Sequence, residues 1–67
     1  MTRHFVSSRA INSIGYDEGT MQLEIVFTSS PKAYTFCGVP LSVYQSFLNA
    51  SSKGSFYNDY IRDRYHC

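Results

Sequence analysis

The sequence predicts an α+β domain, a three-stranded antiparallel meander followed by two helices packed on the sheet, in the order β-β-β-α-α. Three observations carry that prediction. Residues 21–28 alternate Met21, Leu23, Ile25 and Phe27 with Gln22, Glu24, Val26 and Thr28, the period of a strand with one buried face. The strand-like runs are joined by short stretches of turn residues, which makes neighbours antiparallel. From Leu41 onward the apolar residues recur at helical rather than strand spacing.

A chain of 67 residues has room for one core, so a single domain over residues 1–67 is expected. Six Tyr and five Phe suit such a small core, because each aromatic ring buries a large area. Residues 1–9 are polar apart from Phe5 and Val6 and read as a lead-in arm that docks those two side chains on the core. Residues 1–5 and 66–67 are expected to fray. Ile11, Ile14 and Tyr16 mark a first strand over residues 10–16, stopped by the turn chemistry of Asp17, Glu18 and Gly19. The second strand is the alternating run of residues 21–28. Ser29, Ser30, Pro31 and Lys32 break it. Alternation resumes over residues 33–37, with Tyr34 and Phe36 on one side and Thr35 and Cys37 on the other.

Gly38 ends the third strand, and Pro40 suits a first helical position, where its missing N–H costs nothing. Leu41, Tyr44, Phe47 and Leu48, with Val43 beside them, give that helix an apolar stripe to lay on the sheet. Residues 49–53 form a polar break, after which Ser52 or Ser55 is placed to cap a second helix running to about residue 65. Its stripe, Phe56, Tyr57, Tyr60, Ile61 and Arg64, mixes core residues with tyrosine and guanidinium.

Composition excludes several function classes. Six cations against five acids leave a net charge of +1, too little for a dedicated duplex-binding protein, so any nucleic-acid contact must be local. Two cysteines, Cys37 and Cys67, are too few and too far apart for paired zinc ligands or a disulfide scaffold. They are expected as free thiols, Cys37 in the core and Cys67 at the terminus. Neither a secretory leader nor a membrane-length apolar run is present, which predicts a cytoplasmic protein without a membrane partner.

The residues predict a protein that is not an enzyme, with no catalytic residue, no metal ligand and no cofactor. His4 and His66 lie in the terminal segments and read as solvated side chains. Asp59 and Asp63 stand four apart on a helix, but Arg62 and Arg64 beside them predict surface charge compensation rather than a carboxylate pair for catalysis. No glycine-rich phosphate motif of nucleotide-binding length occurs.

What remains is the segment SKGSFYNDYIRDRY, residues 52–65, in which cations and rings interleave. The candidate partner-binding residues are Lys53, Gly54, Tyr57, Tyr60, Arg62, Arg64 and Tyr65, with Tyr34 extending the surface from the sheet. Lys53 beside a helix amino terminus suits a phosphate or carboxylate. By helical spacing Arg64, rather than Arg62, shares a face with Tyr57 and Tyr60. Exposed tyrosines beside arginines hold single-stranded nucleic acid by stacking. The same residue types anchor protein interfaces. Two partner classes therefore fit one face: RNA or another single strand, or a protein, as for a phage or prophage factor that modulates a larger host enzyme. Phe36, Phe47, Phe56 and Tyr44 are assigned to the core.

Five stretches in order, VSSRAINSIGYD (6–17), LEIVF (23–27), YTF (34–36), VPLSVYQSFLNA (39–50) and SKGSFYNDYIRDRY (52–65), resemble the KTSC domain family. That family is named for a carboxy-terminal extension of some lysyl-tRNA synthetases and also occurs as short stand-alone bacterial and phage proteins. The resemblance implies a small domain for which the synthetase context suggests RNA binding, with no catalytic chemistry. The family's central YxY pattern falls on Tyr34, Thr35 and Phe36, so this chain carries Phe where the second Tyr is expected. The SKG run with Asn58, Ile61, Arg62 and Tyr65 matches the family's tail, without the basic residues that often follow it.

Overall fold

Backbone pairing begins earlier than the apolar pattern does. In the computed structural model, which describes residues 2–67, the elements run β1 (Thr2–Phe5), β2 (Ile11–Asp17), β3 (Gln22–Phe27), β4 (Ala33–Phe36), α1 (Leu41–Asn49) and α2 (Lys53–Phe56), followed by a π turn (Tyr57–Ile61). The sheet has four antiparallel strands in sequential order, not three. The added strand is the segment expected to fray, which pairs Thr2, Arg3, His4 and Phe5 with Tyr16, Gly15, Ile14 and Ser13. Phe5 does not dock on the core. It is 78% exposed on an edge strand, while Val6 beyond it does pack inward. Of the residues expected to fray at this end, Met1 lies outside those described.

Both helices cover the same face of the sheet. Ile14 and Tyr16 on β2, Leu23 and Ile25 on β3, and Phe36 on β4 meet Val39, Tyr44, Phe47 and Ile61 in one core. Ile11 joins them although it stands an odd number of residues before Ile14. A bulge at Asn12, between the Ile11–Phe27 and Ser13–Val26 pairs, inserts the extra residue that turns Ile11 inward. On the outer face Arg3 donates to Ser13 at 2.9 Å and forms an ion pair with Glu24.

The punctuation follows the expected chemistry. Asp17 Oδ1 accepts from Gly19 N at 3.1 Å in the β2–β3 turn. Gly38 adopts φ of 72°, a conformation open to glycine at little cost. Pro40 is the cap of α1 rather than its first residue, and its carbonyl accepts from both Val43 N and Tyr44 N. Ser52, not Ser55, caps α2 by accepting from Ser55 N at 3.3 Å. The second helix is not one α-helix to residue 65. After Phe56 it widens, and Arg62 N bonds to Tyr57 O, five residues back, at 2.9 Å.

The cysteine expectation is overturned. Cys37 and Cys67 form a disulfide that ties the end of the chain to the residue after β4. Spacing along the chain gave no sign of this, because the two approach only after the last helix has folded back over the sheet. Cys37 is half-buried at the sheet's border rather than sealed in the core.

Two buried tyrosines are stacked at the centre, with centroids 4.5 Å apart and planes 10° off parallel, yet their hydroxyls differ. Tyr16 donates to Val39 O at 2.6 Å, whereas the buried Tyr44 hydroxyl has no partner among the described residues. Tyr16→Phe is therefore expected to cost about 1–3 kcal/mol by orphaning the Val39 carbonyl. Tyr44→Phe should be neutral or slightly stabilising in urea melts. Burial raises both phenol pKa values above the ordinary 10.0, with Glu18 and Asp17 adding to the effect at Tyr16. A raised folded value means these groups favour the fold below pH 10 and lose that contribution as pH climbs through it. Stability should fall on the alkaline side, which melts at increasing pH would show.

Candidate functional site

The candidate residues divide among three places. Lys53 and Gly54 sit where the α1–α2 connection meets the β1–β2 connection, in a cleft of about 280 Å³ also lined by Ser7, Ser8, Arg9, Ala10, Ser51 and Ser52. Lys53 Nζ donates to Ala50 O at 3.1 Å, which draws the amine back along its own loop. Lys53 and Arg64 therefore line different recesses.

Tyr60, Arg64 and Tyr65 do come together. With Phe56, Val43, Ser42, Ser46 and the 49–51 segment they line a groove of about 680 Å³ between α1 and the chain's last turns. A volume of that order lies within the range of ligand sites. Tyr60 is 53% exposed and rests on Phe56 at 4.7 Å, and Phe56 in turn stacks on the fully buried Phe47 at 5.4 Å. A ladder of rings therefore runs from core to surface. Its last rung presents a free face to solvent, held by two rings that cannot move without disturbing the core.

Tyr57 and Tyr34 belong elsewhere. Tyr57 packs edge-on against Phe27 at 5.1 Å and Phe36 at 5.9 Å, half-buried between the π turn and the sheet, so it is scaffold rather than contact surface. Tyr34, 42% exposed, leans on Phe27 at 5.6 Å with Lys32 Nζ 5.3 Å above its ring, on the β3–β4 side of the molecule. It does not extend the groove. The π turn explains the separation of Tyr57 from Tyr60, since an extra residue per turn lets Tyr57 enter the sheet side together with Ile61 while Tyr60 keeps to Phe56.

Arg62 and Arg64 are both exposed, and only Arg64 lines the groove. The charge compensation expected from Asp59 and Asp63 does not form. Among the described residues the one ion pair is Arg3–Glu24, which leaves both guanidinium groups available to a ligand. His4 does not dangle but lies on β1 with its ring 6.4 Å from that of Tyr44. No group of three His, Cys, Asp or Glu stands together as metal ligands among the described residues, and no helix there is long and apolar enough to cross a membrane.

Sequence reasoning missed Val43 and the α1 serines of the groove, and the whole 7–10 segment of the cleft. The segment 7–10 carries one legible signal, Ser-Ser-Arg-Ala, which echoes Ser-Ser-Lys-Gly at 51–54. Residues 7–65 match the family model described as the KTSC domain. The chain is 33% identical over 66 residues to an uncharacterized protein of Stutzerimonas stutzeri (strain A1501), covering 98% of this chain and 92% of that one. It is also similar to the crystal structure of a KTSC domain protein from Yersinia pestis, with TM-score 0.92 and 41% identity over 98% of this chain and 92% of that chain.

Proposed function

The chain belongs to the KTSC domain family, and from that premise we propose that it is a small non-catalytic binding domain that holds single-stranded RNA in the groove of Tyr60, Arg64 and Tyr65. The observation that supports this reading is the exposed Tyr60 ring, propped on Phe56 and Phe47, with an arginine free of carboxylate partners beside it. A ring of this kind stacks on any base, and each such stack contributes about 1–3 kcal/mol. The guanidinium supplies a phosphate contact with the geometry to bind two oxygens at once. Nothing in this scheme needs a cofactor, and the proposed setting is the cytoplasm.

Fluorescence anisotropy with a labelled oligouridine tests it. Tyr60→Ala is expected to weaken binding by about 1–3 kcal/mol, and Arg64→Ala to weaken it and flatten the salt dependence, with melting temperature nearly unchanged for both. If only Arg62 and Arg64 meet phosphates, raising salt from 50 to 200 mM should weaken binding about 7-fold, from a slope of roughly −0.7 per contact on single strands. Absence of binding at low salt, or binding indifferent to salt, would overturn the proposal. Tyrosine and arginine also anchor protein interfaces. A lysate pull-down that survives nuclease treatment and is lost with Tyr60→Ala would move the reading to a protein partner.

A further inference from the structure

We infer that the cleft between the β1–β2 and α1–α2 connections is a binding site for a phosphate group. Its two walls are near-repeats, Ser7-Ser8-Arg9 and Ser51-Ser52-Lys53, 44 residues apart in the chain and brought face to face by the fold. One wall offers the Ser7 and Ser8 hydroxyls with Arg9, the other the Ser51 hydroxyl with Lys53, because Ser52 Oγ donates to Ser55 Oγ at 3.0 Å. None of the five acidic residues lines the cleft, so it carries two positive charges in a chain whose net charge is +1. Such a concentration of cations without counter-charges favours an anion.

The donors are already held in place. Ser8 Oγ accepts from Ala10 N at 3.2 Å and Ile11 N at 3.3 Å, which occupies its lone pairs and leaves its proton to donate. Thr28 fastens the same loop, donating its hydroxyl to Arg9 O at 2.7 Å and its amide to Ala10 O at 3.0 Å. On the opposite wall Lys53 spends one proton on Ala50 O and keeps two. The Arg9 guanidinium forms no ion pair among the described residues and is exposed beside these groups. At the floor the walls nearly touch, since a Cβ on Gly54 would stand 3.3 Å from Ala10 Cβ. Glycine there sets the spacing between the walls.

Arginine and lysine with serine hydroxyls make up a donor set suited to a tetrahedral oxyanion. A cleft of about 280 Å³ also has room for one. The phosphate can be free or part of a polynucleotide. Ser51 borders both this cleft and the Tyr60 groove, so a strand stacked on Tyr60 can place a phosphate here. That identification of the carrier rests on the proposed RNA reading, whereas the phosphate site itself does not.

The test is an NMR titration of the whole chain with inorganic phosphate and pyrophosphate at constant ionic strength, followed at the amides of Ser8, Ser52 and Gly54. Saturable shifts confined to the two walls are expected, with affinity reduced at least about tenfold in Arg9→Gln and in Arg9→Gln/Lys53→Gln while the melting temperature stays put. Shifts that never saturate, or that persist unchanged in both variants, would overturn the inference. A second arm compares 5′-phosphorylated with 5′-hydroxyl oligouridine. With Arg9 and Lys53 added to the two arginines, wild-type binding should fall about 50-fold between 50 and 200 mM salt, against about 7-fold in the double variant. Phosphate binding without any oligonucleotide binding leaves the cleft and removes the RNA reading. Oligonucleotide binding identical in wild type and double variant, with no phosphate shifts, does the reverse.

Discussion

Replacing both cysteines by serine, or reducing the Cys37–Cys67 bond, is expected to lower stability by about 3–4 kcal/mol, the value for a crosslink closing a loop of 30 residues. A core of this size rarely supplies more than about 3–5 kcal/mol without a staple. The loss should therefore reach most of the domain's stability and drop the melting temperature by roughly 15–25 °C. Binding should suffer too. The bond anchors the chain just past Tyr65 and Arg64, so the reduced protein frees one wall of the groove. Urea melts with and without dithiothreitol, alongside the double serine variant, measure this. Equal midpoints in all three would mean that the fold does not depend on the bond. The double variant is preferable to either single one, which would leave a thiol able to crosslink two molecules. Structural disulfides persist in oxidising compartments and are rare in the cytosol. The cytoplasmic setting predicted from the sequence and a permanent bond thus pull in opposite directions, and trapping the thiols with an alkylating agent in intact cells would show which holds.

Phe47→Ala should be the most damaging single substitution. Phe47 is fully buried in the last turn of α1, and truncating such a ring costs about 3–5 kcal/mol through lost burial and the cavity left behind. That matches the whole stability expected of the core, so the variant should be largely unfolded at 37 °C. The effect reaches function through the ring ladder. Phe56 loses its stacking partner and Tyr60 loses its support, so binding should fall even at temperatures where the variant is folded. Phe47→Leu separates the two consequences, because it refills most of the volume but stacks poorly. It should recover much of the stability and less of the oligonucleotide affinity. A Phe47→Ala protein that melts like the wild type would show that the helix face is not the keystone its burial implies.

The candidate site was legible only in part. Tyr60 and Arg64 share a groove, as a spacing of four on one helical segment implies, and Tyr65 of the same ring-and-cation segment joins them there. Tyr57 leaves the face it would share with Tyr60 on a regular helix, because the π turn changes which residues coincide and helical arithmetic assumes a constant turn. Lys53 precedes the arginines on the same stretch of chain, but it lines the cleft beside the β1–β2 loop, with its amine bonded to Ala50 O, and not the groove of Arg64.

By itself the sequence determined the antiparallel meander from β2 to β4, the two helical segments with the break at Gly38 and Pro40 and a serine cap at Ser52 or Ser55, and the resemblance to the family. These depend on periodicities and turn preferences that act between residues a few positions apart. Only the tertiary structure decided the fourth strand, the disulfide and the meeting of the two serine-rich loops. Thr2–Phe5 is exposed along its whole length, so no apolar alternation could announce it, and its backbone bonds pair it with residues 8 to 14 positions further along the chain. The disulfide and the cleft join positions 30 and 44 residues apart, distances at which contact is set by how the helices close on the sheet rather than by any local preference.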